Sequence, residues 1–274
     1  MKRVWLVGPI SWDTVIEIDS FPINGGFAQG KNRRERPGGS ASNTAIALAS
    51  TGVETNLISF VGDDLIGEKL VANLKSVPAL KSHVATLAGA SLHAVITVDS
   101  SGERTVFALE ENRLSQIEFN FKFNSKDILC FPVWRDFYLP WLSKGRVDGA
   151  FTVIGLTSSM SNQVEADLAV ASEKDIAELN LEFARIPKVI LTKGAAGSVL
   201  LDGKSEILTT AVPAQVKDAT GAGDAYLAGV LYAIATGKEL TDAMELGSKW
   251  AAMTAETESS IPPNWSEVCR RFGI

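Results

Sequence analysis

From residue 126 onward, short apolar runs of strand length at 127–131, 149–154, 167–171 and 189–192 alternate with segments of helix length. A strand that is apolar on both faces has to be covered on both. Strands separated by helices pair most readily as parallel neighbours. This alternation predicts an α/β fold with a mostly parallel central sheet and helices on both faces. Residues 4–7 read as another core strand, ended by Gly8-Pro9, and 55–70 read as strand, turn, helix. Ligands on such sheets bind outside the carboxyl ends of the strands. With 274 residues the chain can bury a full core, and a single domain over 1–274 is expected.

The overall balance excludes several classes. A net charge of −6 argues against a nucleic-acid partner or an anionic membrane surface. Cys130 and Cys269 are the only cysteines, so there is neither a disulfide framework nor a Cys/His zinc spacing, and a reducing cytoplasm fits. The apolar run after Lys2 and Arg3 is ended by Pro9 and Asp13 too soon for a signal peptide. The longest nearly apolar stretch, 225–235, falls well short of the ~20 residues of a membrane helix. A cytoplasmic protein with no membrane partner is expected.

A second pattern lies outside the alternating region. Polarity alternates from Asp13 onward, residues 24–36 are polar and basic, and strand-like runs at 93–99 and 104–109 flank Ser100-Ser101-Gly102-Glu103, a hairpin signal. Strands from about 13–36 and 93–109 would form a small sheet, the usual source of a substrate lid. Gly25…Gly30-Lys31 half-resembles a Walker A loop, but Asn32 stands where the Ser or Thr is needed, and no strong strand or helix flanks it. His83 and His93 lack acidic or Cys partners in pattern and read as packing or surface residues.

Two glycine-rich stretches open helices of small residues. The first is Gly38-Gly39-Ser40-Ala41-Ser42-Asn43, with Asn43 offering a donor and an acceptor; the second is Asp218-Ala219-Thr220-Gly221-Ala222-Gly223-Asp224. A helix start leaves N–H groups unpaired at a positive dipole end, and glycines let a phosphate approach them. Asp224 is then either a first-turn charge or a base that takes a proton from a hydroxyl. Asp13, where the first strand gives way to the second, could accept hydrogen bonds from a polyol.

These two stretches, together with Val61-Gly62-Asp63-Asp64-Leu65-Ile66-Gly67 and Thr192-Lys193-Gly194-Ala195-Ala196-Gly197, resemble in order and separation the ribokinase-like (PfkB-type) carbohydrate kinases over nearly the whole chain. The resemblance implies a ribokinase-like three-layer fold with a β-sheet lid, and ATP-dependent phosphorylation of a sugar-like hydroxyl. Asp224 would be the base, and the amides of Gly221, Ala222, Gly223 and Asp224 the anion hole. Asp13, Gly38, Gly39 and Asn43 would hold the substrate, and Thr192, Gly194 and Gly197 would line the nucleotide. Asp218 and Thr220 match positions that hold a monovalent cation, potassium, in some relatives. Mg²⁺ would be bound mainly through nucleotide phosphates. A helix N-terminus is expected to keep Asp224 ionised, with no need for a pKa raised near neutrality.

The chain departs from the family pattern twice. Relatives show Asn-x-x-Glu acting through water on magnesium after the strand at 167–171. Here the run is Ser172-Glu173-Lys174-Asp175, which keeps a carboxylate one methylene shorter and predicts altered metal affinity. Ala219 replaces a common Thr beside the cation loop. A nucleoside kinase on the same scaffold, with a flat slot from Trp12, Phe27 or Trp134, is the alternative enzyme; a sugar-binding regulator without turnover is the alternative class. Arg34, Arg36 or Arg104 facing the crevice would favour an acidic sugar, and an exposed lid edge would favour a homodimer. A Rossmann dehydrogenase lacks its Gly-x-Gly-x-x-Gly after the first strand.

Overall fold

The computed structural model describes residues 1–100, 102, 104–157, 164–176 and 186–274; Ser101 and Glu103 of the expected hairpin turn lie outside the described residues. The central sheet is built from β1 (Arg3–Val7), β4 (Thr55–Gly62), β5 (Leu80–Leu87), β8 (Asp127–Phe131), β9 (Phe151–Gly155), β10 (Leu168–Ser172), β11 (Lys188–Thr192), β12 (Ser198–Asp202) and β13 (Ser205–Thr209). Its order is β13-β12-β11-β10-β9-β8-β1-β4-β5. Every pair is parallel except β11/β12 and β12/β13.

The central strands β1, β8, β9 and β10 are buried along almost their whole length because each face of the sheet is covered there. Val4 and Leu6 point into one core with residues of α1 (Ser40–Ala49) and α4 (Ala222–Thr236). Trp5 and Val7 point into the other, with Trp134, Tyr138 and Leu142, the last from α3 (Leu139–Val147). That alternation follows directly from the period of two in a strand. The buried carboxylate of Asp127 ties β8 to β1 by accepting from Arg3 Nε at 2.7 Å and Trp5 Nε1 at 3.2 Å. Helix α4 crosses α5 (Leu240–Ala255) so closely that a Cβ on Gly229 would lie 2.6 Å from the Gly247 nitrogen. The remaining α-helices among the described residues are α2 (Leu65–Lys75) and α6 (Trp265–Phe272).

A second sheet of four strands is formed by β2 (Ser11–Glu17), β3 (Lys31–Gly38), β6 (His93–Val98) and β7 (Arg104–Ala108), in the order β3-β2-β6-β7. Its inner face buries Val15, Ala94, Ile96 and Val98, every second residue. β7 is exposed along its whole length. Among the described residues no helix is long and apolar enough to cross a membrane.

Candidate active site

Where β1 ends, Gly8 donates to Ile58 O at 3.2 Å and the chain leaves the large sheet to begin β2. Asp13 on β2 is buried and accepts from Ser11 Oγ at 2.7 Å. Its carboxylate lies on the backbone of Gly38: an added Cβ there would come within 2.0 Å of Asp13 Oδ2. Gly39, with φ +99°, turns the chain into α1, and its Cβ would meet Pro9 O at 2.7 Å. Both glycines are therefore demanded by close backbone approach. One turn into α1, buried Asn43 donates from Nδ2 to Asp224 Oδ2 at 2.8 Å, while its Oδ1 is buried without a partner.

Asp224 sits in the first turn of α4. Gly221 enters the helix in the left-handed region at φ +84°, with no room for a Cβ against Ser260 O at 2.1 Å. Ala222 N donates to Ala219 O at 3.2 Å and Ala225 N to Gly221 O at 2.9 Å. The N–H groups of Gly223 and Asp224 precede the first carbonyl that the helix could offer them. Gly223 is exposed, and a Cβ there would meet nothing within 4 Å. A positive helix end thus opens onto free space beside a half-buried carboxylate.

Burial dominates the electrostatics and raises the Asp224 pKa. Hydrogen bonds from Asn43 and Ser40 and the charge of Arg104 oppose it, while nearby Asp13 adds to the rise. Asp13 is likewise raised, first by burial, against Ser11, Arg36, His93 and Arg104. The helix end and the favourable donors do not cancel the desolvation of Asp224, so its shift is upward.

The loop before α4 has a different neighbourhood. Asp218 is buried; its Oδ1 accepts from Thr220 N at 2.8 Å, and its Oδ2 from Arg36 Nη1 at 3.1 Å and Arg34 Nη2 at 3.4 Å. Burial alone would raise its pKa, but the Thr220 amide and the Arg36 charge bring it below the ordinary value. Thr220 Oγ1 is buried without a partner.

A second group gathers at the carboxyl ends of β10 and β11. Ser172 pairs with Thr192, Glu173 N donates to Thr192 O at 2.9 Å, and the Glu173 carboxylate pairs with Lys193 at 3.1 Å. Asp175 is exposed one turn on, its N–H bonded to Ser172 O at 3.0 Å. Gly194 is open on all sides, whereas Gly197 is required by packing, since its Cβ would lie 2.1 Å from Thr209 O. The next residue, Ser198, accepts from Tyr226 Oη at 2.8 Å, which fixes this turn against α4 two residues beyond Asp224. No cluster of three or more His, Cys, Asp or Glu able to hold a metal ion occurs among the described residues.

The structure therefore brings Asp13, Gly38, Gly39, Asn43 and Asp224 close together. The sequence reading missed Ser11 and Ser40, and it named Arg34 and Arg36 as candidates to face the crevice without reading that they pair with Asp218. Ser40 had a local signal as the residue after Gly39; the pairing of the arginines with Asp218 had none, since they lie more than 180 residues away in the chain. Of the aromatic candidates for a flat slot, Trp134 is fully buried against Phe131 and Tyr138 and bonds Asp136 at 3.0 Å. Phe27 is 85% exposed, and the Trp12 indole lies under Lys69 Nζ at 5.3 Å.

The crystal structure of ribokinase from Thermotoga maritima superposes on the full length of both chains with a TM-score of 0.82 at 19% identity, which establishes a ribokinase-like fold. Residues 1–130 and 158–267 match the family described as pfkB family carbohydrate kinase, and the chain belongs to that family. Among curated relatives, a ribokinase from Bacillus subtilis is 25% identical over 93% of each chain. A nucleoside kinase from Methanocaldococcus jannaschii is 27% identical over 99% of this chain and 97% of its own. The protein is a kinase of this family.

Proposed function

We propose that the protein transfers the γ-phosphoryl group of ATP to a hydroxyl of a sugar or sugar-like substrate, with Asp224 as the base. The observation that carries this reading is the 2.8 Å bond from Asn43 to Asp224 at the mouth of α4, which aims one carboxylate oxygen where a positive helix end meets open space. The hydroxyl oxygen bonds to the γ-phosphorus as the bond to the β-phosphate oxygen breaks; ADP leaves, and the hydroxyl proton passes to Asp224. Such a transfer has a loose transition state, so positioning and charge stabilisation carry most of the work. Asp13 accepts from substrate hydroxyls, the unpartnered Asn43 Oδ1 takes another, and Gly38 and Gly39 let the substrate lie on the backbone. The amides of Gly221 to Asp224 receive the developing phosphoryl charge, Gly223 and Asp224 foremost, because Ala222 already donates to Ala219.

Thr192, Gly194 and Gly197 form the nucleotide-side turn that Tyr226 ties to α4. Asp175, with Glu173 beside it, would hold Mg²⁺ through water, its exposed position suiting an ion that keeps several waters. When bound with the nucleotide, Mg²⁺ neutralises phosphate charge. Arg104, exposed at the start of β7, is close enough to lower the pKa of both Asp13 and Asp224, which supports an acceptor carrying negative charge.

The test is ADP release with ATP and a panel of neutral sugars, acidic or phosphorylated sugars and nucleosides, with an Asp224→Asn variant beside the native protein. Turnover by the native protein, reduced about 10²–10⁴-fold in the variant, is expected. Ligand binding without turnover in both proteins would instead identify a sugar-binding regulator. Weaker KM for an acidic acceptor in Arg104→Ala, with a neutral acceptor unaffected, is expected if Arg104 reads charge.

A further inference from the structure

Within the kinase reading above, the corner around Asp218 does not fit a monovalent cation. The Asp218 carboxylate is spent: Oδ1 holds the Thr220 amide and Oδ2 holds two guanidinium nitrogens. Arg36 Nη1 also bonds the main-chain carbonyl of Glu258, so one nitrogen bridges a carboxylate and a backbone oxygen. Those are the oxygen donors that a hard cation selects. Arg34 in turn donates to Glu17 Oε1 at 2.7 Å. The four bonded groups, Arg34, Arg36, Asp218 and Glu17, sum to zero charge, and burying one more cation beside them would leave an uncompensated positive charge away from water.

The donors that remain point the same way. Arg34 Nε and Arg36 Nε and Nη2 are buried without a protein acceptor, so this side presents N–H groups that repel a metal ion. Thr220 Oγ1 is also unpartnered, but one hydroxyl does not replace a hydration shell. The placement is mechanically apt. Asp218 N and Lys217 N both donate to Ala255 O, and Ser260 O packs on Gly221, so the loops at 217–221 and 255–260 lie against each other. Arg36 stitches them together at the entry to the anion-hole turn.

We propose that the Arg36 guanidinium, backed by Arg34, is a built-in cation that positions the 218–221 loop, and that the protein works without potassium. Arg36 acts through the loop and not on the reacting atoms, so it is a positioning residue.

The experiment compares potassium, sodium and tetramethylammonium chlorides at equal ionic strength, using initial rates with the best acceptor and thermal unfolding without substrate. For the native protein, rates within roughly twofold across the three salts and no potassium-specific rise in Tm are expected, since a ligand that does not bind the native state cannot stabilise it. Arg36→Ala removes the nearer of the two guanidinium donors to Asp218 Oδ2, leaving Arg34 at 3.4 Å, and opens a space that potassium can enter. Its rate in tetramethylammonium should fall by about tenfold or more, and potassium should restore part of the rate and raise its Tm. Potassium activation of the native protein by about tenfold, or a potassium-specific Tm rise in it, would overturn the proposal. If no acceptor on the panel is phosphorylated in any salt, the kinase reading fails and the unfolding arm still decides whether the site takes potassium. Should Arg36→Ala not fold, the native salt series decides by itself.

Discussion

An ionised carboxylate in the first turn of α4 is favoured by the helix dipole and by donors from Asn43 and Ser40, and disfavoured by burial beside Asp13. Burial prevails, so Asp224 titrates above the ordinary aspartate range. The kinetic consequence is that the acid limb of kcat/KM lies at higher pH than an exposed aspartate would give, because the base must be ionised. A pH–rate profile would show it, and a limb at the ordinary value would remove Asp224 from the role. The stability consequence has the opposite sense. A carboxyl group whose folded pKa is raised stabilises fully below its unfolded pKa, and that stabilisation is lost as pH rises through the folded pKa. At neutral pH the charge is therefore a cost, and Asp224→Asn should unfold at the same or higher Tm than the native protein while losing activity. Asp218 behaves the other way: its lowered pKa contributes stability above the ordinary value that is lost as acid protonates it.

The entry to α4 separates two glycines that look alike in sequence. Gly221 holds φ +84° with a carbonyl 2.1 Å from any Cβ, whereas a Cβ at Gly223 meets nothing. Gly221→Ala should lose at least roughly 1–2 kcal/mol from the backbone conformation alone, read by denaturant unfolding. Gly223→Ala should gain about 0.5–1 kcal/mol, as alanine does inside a helix, yet lose phosphoryl transfer because its methyl fills the phosphate space. Undiminished activity in Gly223→Ala would show that the phosphates lie elsewhere. The motif was legible as a glycine-rich helix entry; which glycine served the backbone and which the open space was not, because Ser260, 39 positions away, decides it.

Across the whole molecule, the small sheet leaves β7 as an open edge, with Val106 and Phe107 exposed at 52% and 44%. Unpaired edges with apolar side chains pair with other chains. Self-association through β7 is therefore expected, with Phe107→Glu shifting sedimentation toward the monomer. The large sheet was readable in outline from residue order: β8 to β11 fall within two or three residues of the apolar runs, because a strand buried on both faces must be apolar at every position. β5, β12 and β13 were not singled out; β13 is mostly exposed and β5 alternates partly buried with exposed positions, which blurs the apolar run. The residues that gather around Asp224 were likewise legible as candidates, since Asp13, Gly38, Gly39, Asn43 and Asp224 each sit in a local pattern tied to a strand end or helix start. Only the folded chain decided that Arg34 and Arg36 reach Asp218 and that desolvation raises Asp224. Charge pairing and burial depend on distance through space, and residue order carries no measure of that for segments some 180 positions apart.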